Sequence, residues 1–410
     1  MVKPMMRVLL TPLFIFFSLS LATAAIYNVV TLGAKGDGTS DSTNSFLTAW
    51  RTACDSVYPA TIYVPPGQYL VGKTVFSGVC KSSAVDIHIN GTLLAPADFR
   101  GIGSSDNWLV FERVTGVSIY GGGTLDGQGT GLWACKASRQ SCPMGATTLE
   151  FTNSDNISIS GITSVNSQMF HIVISNCNNV KVLGVTVQAS GNSPNTDGIH
   201  VASSSEVTIM NSNIATGDDC ISIGPGTTNL WIEQINCGPG HGISIGSLGW
   251  ALEESGVHNV TVKTVTFTGT RNGVRIKTWA KPSNGFVNGV LFQHITMVNA
   301  ANPIVIQQNY CPGGHNCPHQ VSGVKISNVT YQDIHGSSAT QVAMEFDCSE
   351  EQPCSGIILE DINLEGSNLP AKSSCVNAAG SNLGVVVPPS CLRIKLQKNQ
   401  KKIKKVDGKT

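Results

Sequence analysis

Along most of the chain, apolar and polar residues alternate in short runs separated by turns rich in Gly, Asn and Ser, the period-2 pattern of half-buried strands. One series of runs begins at Ile87, Val117, Ile157, Val180, Val207, Leu230, Val260, Val290, Val324 and Ile357. A second series interleaves with it at Ile172, Ile199, Ile221, Ile243, Val274, Ile304 and Val342. Steps within each series mostly run from 22 to 34 residues. No helical pattern stands between the runs, so stacked parallel sheets are expected rather than βαβ units: an all-β solenoid, a parallel β-helix. Steps longer than 22 residues mark loops that bulge from single coils, such as Ser247–Gly256 and Lys281–Gly289, and loops of this kind often line a cleft. Near the start, Thr43–Cys54 is the exception. Its apolar positions Phe46, Leu47, Trp50 and Ala53 fall on one helical face, with Asp41 or Ser42 as N-cap. A lone short helix followed by the strand at Thr61–Val64 suits a cap over the open end of the solenoid.

The alternation also sorts side chains by face. With Ile199, Ile221, Ile243, Val274 and Ile276 inward, His200, Ser222, Ser244, Arg275 and Lys277 point outward on one sheet. Three polar residues stand two positions before an isoleucine: Asp197, Asp219 and His241, spaced by 22 and 22 residues. On successive coils they form a column with steps of ~4.8 Å. Asp218 stands beside Asp219, and Arg275 and Lys277 follow one coil further on. Asn195-Thr-Asp-Gly alone is an ordinary turn sequence, and Asp218-Asp219 alone an ordinary acidic turn. Three carboxylates within two coils repel strongly, and a purely structural site rarely tolerates that.

Composition changes the picture at both ends. Charged residues are only 13%, which suits strands and tight turns. The formal net charge of zero conceals an asymmetry: from Arg393 onward the chain carries eight Lys/Arg against one Asp. Without that tail and the two bases of the first ten residues, 16 Lys/Arg face 25 Asp/Glu, so the folded body is acidic. Lys3 and Arg7 precede an apolar run, Val8–Leu21, and Ala22-Thr23-Ala24 offers a cleavage site for a secretory signal. The expected organisation is a signal peptide at 1–24, a catalytic solenoid at 25–392 and a basic, disordered tail at 393–410. Thirteen cysteines behind a signal peptide suit disulfides. Near-neighbour pairing gives Cys54–Cys80, Cys135–Cys142, Cys220–Cys237, Cys311–Cys317, Cys348–Cys354 and Cys375–Cys391, leaving Cys177 as a buried thiol. Sequons stand at Asn90, Asn156, Asn259 and Asn328.

Crowded carboxylates cannot all ionise, so one is expected to keep a proton while another acts as base. That is equipment for hydrolysing a glycosidic bond, one Asp protonating the leaving oxygen and another activating water. Arg275 and Lys277 suit a substrate that itself carries carboxylates, a uronic-acid polymer.

Asn195-Thr-Asp-Gly, Gly217-Asp-Asp-Cys, Gly240-His-Gly, Arg275-Ile-Lys and Tyr310-Cys, in this order, resemble the motifs of the plant polygalacturonases, pectin-degrading glycoside hydrolases. The segment Gly33–Asp41 and the last cysteine pair fit as well, so the likeness spans the mature chain. The resemblance implies a right-handed parallel β-helix, no metal or other cofactor, and inverting hydrolysis of α-1,4 galacturonosyl bonds. It implies Asp218 as general acid, Asp197 with Asp219 as the pair that activates water, and His241 as the residue that tunes the acid. It further implies substrate contacts from Asn195, Arg275, Lys277 and Tyr310. The coil step of ~4.8 Å between Asp197 and Asp219 is nearer the ~5–5.5 Å carboxyl spacing of retaining enzymes than the ~6.5–9.5 Å of inverting ones; the expectation follows the resemblance. His200, after Asn-Thr-Asp-Gly-Ile, resembles the pollen-type exo-acting members and implies removal of single galacturonates from the non-reducing end. A secreted monomer of the plant cell wall is expected, with pectin as partner and neither nucleic acid nor membrane. Other readings are an endo-acting relative, a Ca²⁺-dependent pectate-lyase-like β-helix, and a non-catalytic pectin-binding wall protein. Ca²⁺ takes six to eight oxygens, a poor match to a site holding His241 and Lys277.

Overall fold

The computed structural model describes residues 25–138 and 140–394. The expected signal segment at 1–24 and residues 395–410 of the expected disordered tail lie outside them. Arg393 is held to the body: its N–H donates to Ala378 O at 3.1 Å and its carbonyl accepts from Gly380 N at 3.0 Å.

The interleaved series are two parallel arrays. Eleven strands, from Thr74–Ser77 to Lys372–Val376, form one sheet, and nineteen form the other among the described residues. In the first, Ile172, Ile199, Ile221, Ile243, Val274 and Ile304 are direct neighbours on successive coils. The row ends on Met344 rather than Val342, which pairs with Lys372. In the other array, Val180, Val207, Leu230, Val260, Val290, Val329 and Ile357 stack, so the member after Val290 is Val329 and not Val324. Both slips arise where a coil carries an insertion. Val342 and Met344 are two residues apart, which keeps the face, whereas Val324 and Val329 are five apart and are both buried because the chain turns at the left-handed Asn328 between them. The core is a continuous column of these side chains, with Ile199, Ile221, Ile243, Val262, Phe292 and Tyr331 all fully buried.

Strands of the second array are longer than the sequence pattern suggests: Ser205–Ala215, Val257–Thr268 and Phe286–Ala300 each run through a corner without a break. The corner residues are left-handed. Asn156, Asn179, Glu206, Asn229, Asn259, Gly289, Asn328 and Gly356 all have positive φ and follow one another in register. Asn and Gly tolerate this conformation best. The side chains also join the coils: Asn179 Nδ2 donates to Asn156 Oδ1 at 2.7 Å, and Asn259 Nδ2 to Asn229 Oδ1 at 2.6 Å. All four sequon asparagines are exposed.

The cap is a helix at Thr43–Asp55. Asp41 accepts from Thr43 N at 2.9 Å, and Ser42 makes no side-chain cap. Phe46 and Trp50 are buried, and the Trp50 ring lies against Phe76 and Phe111 over the first coils. It is not the only helix: Arg100–Gly103 forms a single helical turn, and Thr130–Ala137 forms a helix of eight residues inside one insertion. Only Leu132 of it is buried, too little periodicity for the sequence pattern to register. The loop expected at Lys281–Gly289 ends earlier, because the next strand starts at Phe286. All six expected disulfides form, and Cys177 is a buried free thiol whose burial pushes its pKa up to about 11.

Candidate active site

The site grows from two turns clamped together just before the strands Ile199–Ala202 and Ile221–Ile223. Thr196 Oγ1 accepts from Gly217 N at 3.1 Å and pairs with Ser193 Oγ at 2.6 Å. Gly217 has no alternative here, since a Cβ would come within 2.1 Å of Ser193 O. Gly198 N donates to Asp219 O at 2.9 Å, continuing the ladder into the turns. Asp197, Asp219 and His241 therefore sit on three successive coils as the spacing requires.

The two adjacent aspartates point apart. Asp218 turns toward the cleft, where its Oδ1 accepts from His241 Nδ1 at 2.9 Å and from Asp219 N at 2.9 Å. Asp219 turns toward Ser244, Arg275 and Lys277 on the outer face of the sheet and is fully buried. Its Oδ1 accepts from Ser244 Oγ at 2.9 Å and Arg275 at 3.0 Å, and its Oδ2 from Lys277 Nζ at 2.7 Å. Cys220, next in sequence, is fixed by the disulfide to Cys237.

Arg275 and Lys277 share the outer face of the sheet, but they are not exposed as the alternation suggested: only 8% and 6% of their surface is open. Neighbouring loops and Tyr310 cover them, the Tyr310 ring lying 5.9 Å from the Arg275 guanidinium and 5.2 Å from Lys277 Nζ. The guanidinium donates through Nε to Ser244 and through one Nη to Asp219, so the protein's own carboxylate takes part of the fork expected to meet a substrate carboxylate.

A cleft cavity of about 240 Å³ is lined by Asn195, Asp197, His200, Asp218, Lys277 and Tyr310, together with Phe170, Ser222, Pro225 and Ser247. Asp219 and Arg275 support it from beneath. Sequence reasoning did not single out Phe170 or Asn272, and it placed Ser244 on the outer face without giving it a role. Phe170, like Asp197, stands two residues before its row isoleucine, and Asn272 continues the column after His241, donating to His241 O at 3.1 Å. The period-2 register alone was the available signal for Ser244. Phe170 stacks on His200 at 5.2 Å, and His200 Nδ1 lies 2.8 Å from Ser222 Oγ. Although His200 keeps an edge open to the cleft, the atoms packed round its ring push its pKa down to about 4, against the pull of Asp219.

The acids are driven in opposite directions. Burial first, then the charges of Asp219 and Asp218, push Asp197 well above the usual carboxylate range, with Ser222 and Lys277 opposing. Burial also pushes Asp218 up, but the hydrogen bond and charge of His241, with Lys277, outweigh it and hold the group below the usual value. Of the two, Asp197 is the carboxyl whose surroundings favour the protonated form.

Ligand atoms of Asp218, Asp219 and His241 lie within 4.8 Å of one another. They suit a metal ion poorly, because both Asp219 oxygens already face Arg275 and Lys277 and His241 Nδ1 is engaged with Asp218.

A parallel β-helix that gathers carboxylates in a surface cleft is an arrangement that glycoside hydrolysis can use. The chain belongs to glycosyl hydrolases family 28, whose family model matches residues 54–388. It is 61% identical to a polygalacturonase of Prunus persica over 93% of this chain and 98% of that one. It is 44% identical to an exopolygalacturonase of Platanus acerifolia over 90% and 98%. The endo-xylogalacturonan hydrolase of Aspergillus tubingensis shares the right-handed parallel β-helix with a TM-score of 0.75 at 22% identity, covering 88% of this chain and 99% of that one.

Removing Arg275 leaves the buried Asp219 with a single cation. Arg275→Ala is expected to destabilise the protein by about 3–5 kcal/mol, since breaking a buried pair strands a charge. A clear fall in the urea midpoint checks this; an unchanged midpoint with weakened substrate binding would instead return Arg275 to direct substrate contact.

Proposed function

We propose that this chain is a secreted polygalacturonase that hydrolyses α-1,4 galacturonosyl bonds of pectate with inversion, in the plant cell wall. What carries the reading is the division of labour at Gly217-Asp-Asp-Cys: one carboxyl faces the cleft beside an imidazole and the other is locked beneath it by two cations. Asp218, the more exposed of the two, protonates the leaving glycosidic oxygen as the bond to the anomeric carbon breaks. Water, held by Asp197 with Asp219, forms the new bond to that carbon from the opposite face and gives its proton to Asp197. The coil step separates the two members of the water-activating pair, not the acid from its base, so it sets no stereochemical outcome.

The acid must hold its proton when the bond breaks, although the free protein favours Asp197. An anionic sugar entering the cleft supplies the difference. Its carboxylate draws on Lys277, which helps keep Asp218 low, and its ring excludes water from Asp218; both raise the Asp218 pKa. The three acids thus titrate as one set rather than as independent groups. Lys277, on the cavity wall, and Asn195, at its rim, contact the sugar, Tyr310 packs against it, and Arg275 positions Asp219.

The proposed action is exo, from the non-reducing end. His200 stacked on Phe170 forms a wall at one end of the cavity, next to Pro225. The loops at 249–256 and 280–285 stand at the opposite end, beyond Lys277, so the wall is the work of His200 and Phe170 rather than of those loops. A Ca²⁺-dependent lyase reading finds its candidate ligands already paired with cations.

Asp218→Asn is expected to fold normally and to lose at least ~10²-fold in kcat, within the ~10²–10⁴-fold range of a general acid; activity within tenfold of the parent removes Asp218 from that role. The pH profile of kcat/KM is expected to be a bell on the acidic side of neutrality. Activity rises as the cluster falls to a single proton, which leaves one carboxylate to activate water, and falls as that last proton is lost. Because Asp197 is raised, that loss comes above the ~3.9 of an ordinary Asp. Full activity at alkaline pH, or its abolition by EDTA, supports the lyase instead. Early digestion of polygalacturonate is expected to release monomer alone; a ladder of oligomers with a rapid fall in viscosity means endo action.

A further inference from the structure

Beyond Tyr310, away from His200, the aromatic surface continues. Trp279 meets the Tyr310 ring edge-on at 5.3 Å, and Trp250 meets Trp279 in the same manner at 4.9 Å. Trp250 is 60% exposed, unusual for the largest apolar side chain, and its loop is built to keep it there. Glu254 accepts from the N–H groups of both Gly249 and Trp250, and Asn284 of the next insertion accepts from Glu254 N at 2.9 Å. Lys281 completes the arrangement. Its ammonium donates to Trp250 O at 2.8 Å and lies 4.0 Å from the Trp250 ring centre. No carboxylate pairs with Lys281 among the described residues, so its charge remains available. Across from the two indoles, the loop closed by Cys311–Cys317 supplies Pro312 and His315, enclosing a cavity of about 260 Å³.

Apolar rings beside a fixed cation match a sugar that is apolar on its C–H face and anionic at its edge. From this geometry we infer that Trp250, Trp279 and Lys281 form a distal subsite for one galacturonate ring of the polymer, separate from the sugars that flank the cleaved bond. The aromatic contacts from Tyr310 make it continuous with the cleft, so a chain held at Asp218 reaches it with a more distant residue. Lys281 selects a ring whose carboxylate is free over a methyl-esterified or neutral one. Ordered loops mean that little is lost in organising the subsite when the chain arrives. The inference rests on the polygalacturonase reading.

The test compares kcat/KM on digalacturonate, which spans only the bond cleaved, with that on hexagalacturonate. Trp250→Ala and Lys281→Met are each expected to lower the value on hexagalacturonate by roughly 5–30-fold, the range of a cation–π or stacking contact. The value on digalacturonate is expected to stay within twofold. Trp250→Phe is expected to recover most of the loss. On a hexamer carrying methyl esters, Lys281→Met is expected to have little effect. Unchanged values on hexagalacturonate, or equal losses on both lengths, overturn the subsite. Failure of the parent protein to hydrolyse either oligomer overturns the polygalacturonase reading itself, a different result from an active parent whose variants show no length dependence.

Discussion

The buried contact of Asp219 with Arg275 and Lys277 ties the site together across three coils. Arg275 and Lys277 lie 56 and 58 residues beyond Asp219 in sequence, yet the coils involved are those whose rows run Ile221, Ile243, Val274. An anion and two cations with almost no solvent can coexist only if every coil between them keeps its register, because desolvation costs more than a misaligned pair returns. Ser244, on the intervening coil, bridges them, donating to Asp219 and accepting from Arg275. The same contact leaves Asp197 between the negative charges of Asp218 and Asp219, which with burial raises its pKa. Coil stacking and proton distribution are in this sense one constraint.

Much of this was legible in the sequence because a solenoid repeats its rule. The 22-residue spacing of Asp197, Asp219 and His241 placed them on consecutive coils, and the isoleucine rows followed. Register failed at Val324 and Val342, where insertions interrupt the count. The face of Arg275 and Lys277 was right but their exposure was not: alternation tells which side of a strand a residue takes and nothing about what other loops lay over that side. Tyr310 covers them from a later coil. The Thr130–Ala137 helix escaped because a single buried Leu132 gives no periodicity.

Proton placement was the least legible. Three carboxylates in sequence proximity announce that at least one will be protonated, but which one depends on the direction each side chain leaves its turn. Asp218 and Asp219 are neighbours in the chain, yet one meets an imidazole and the other a guanidinium and an ammonium. The left-handed corner column was likewise hidden. Asn156, Asn179 and Asn229 turn the strands at left-handed positions and hydrogen-bond the coils to one another.

The loops that hold Trp250 and Lys281 are fastened mainly to each other, through Glu254 and Asn284, and not to the carboxylates. Their length does not enter the register of the Ile rows, which is set by strand pairing on either side. The molecule is consequently built in two layers that can drift independently under selection. Residues on the rungs are frozen by one another, since any shift there moves acids, cations and core together. Insertions between rungs are free to lengthen, shorten or change chemistry, altering which polysaccharide is gripped while the bond-breaking apparatus is inherited intact.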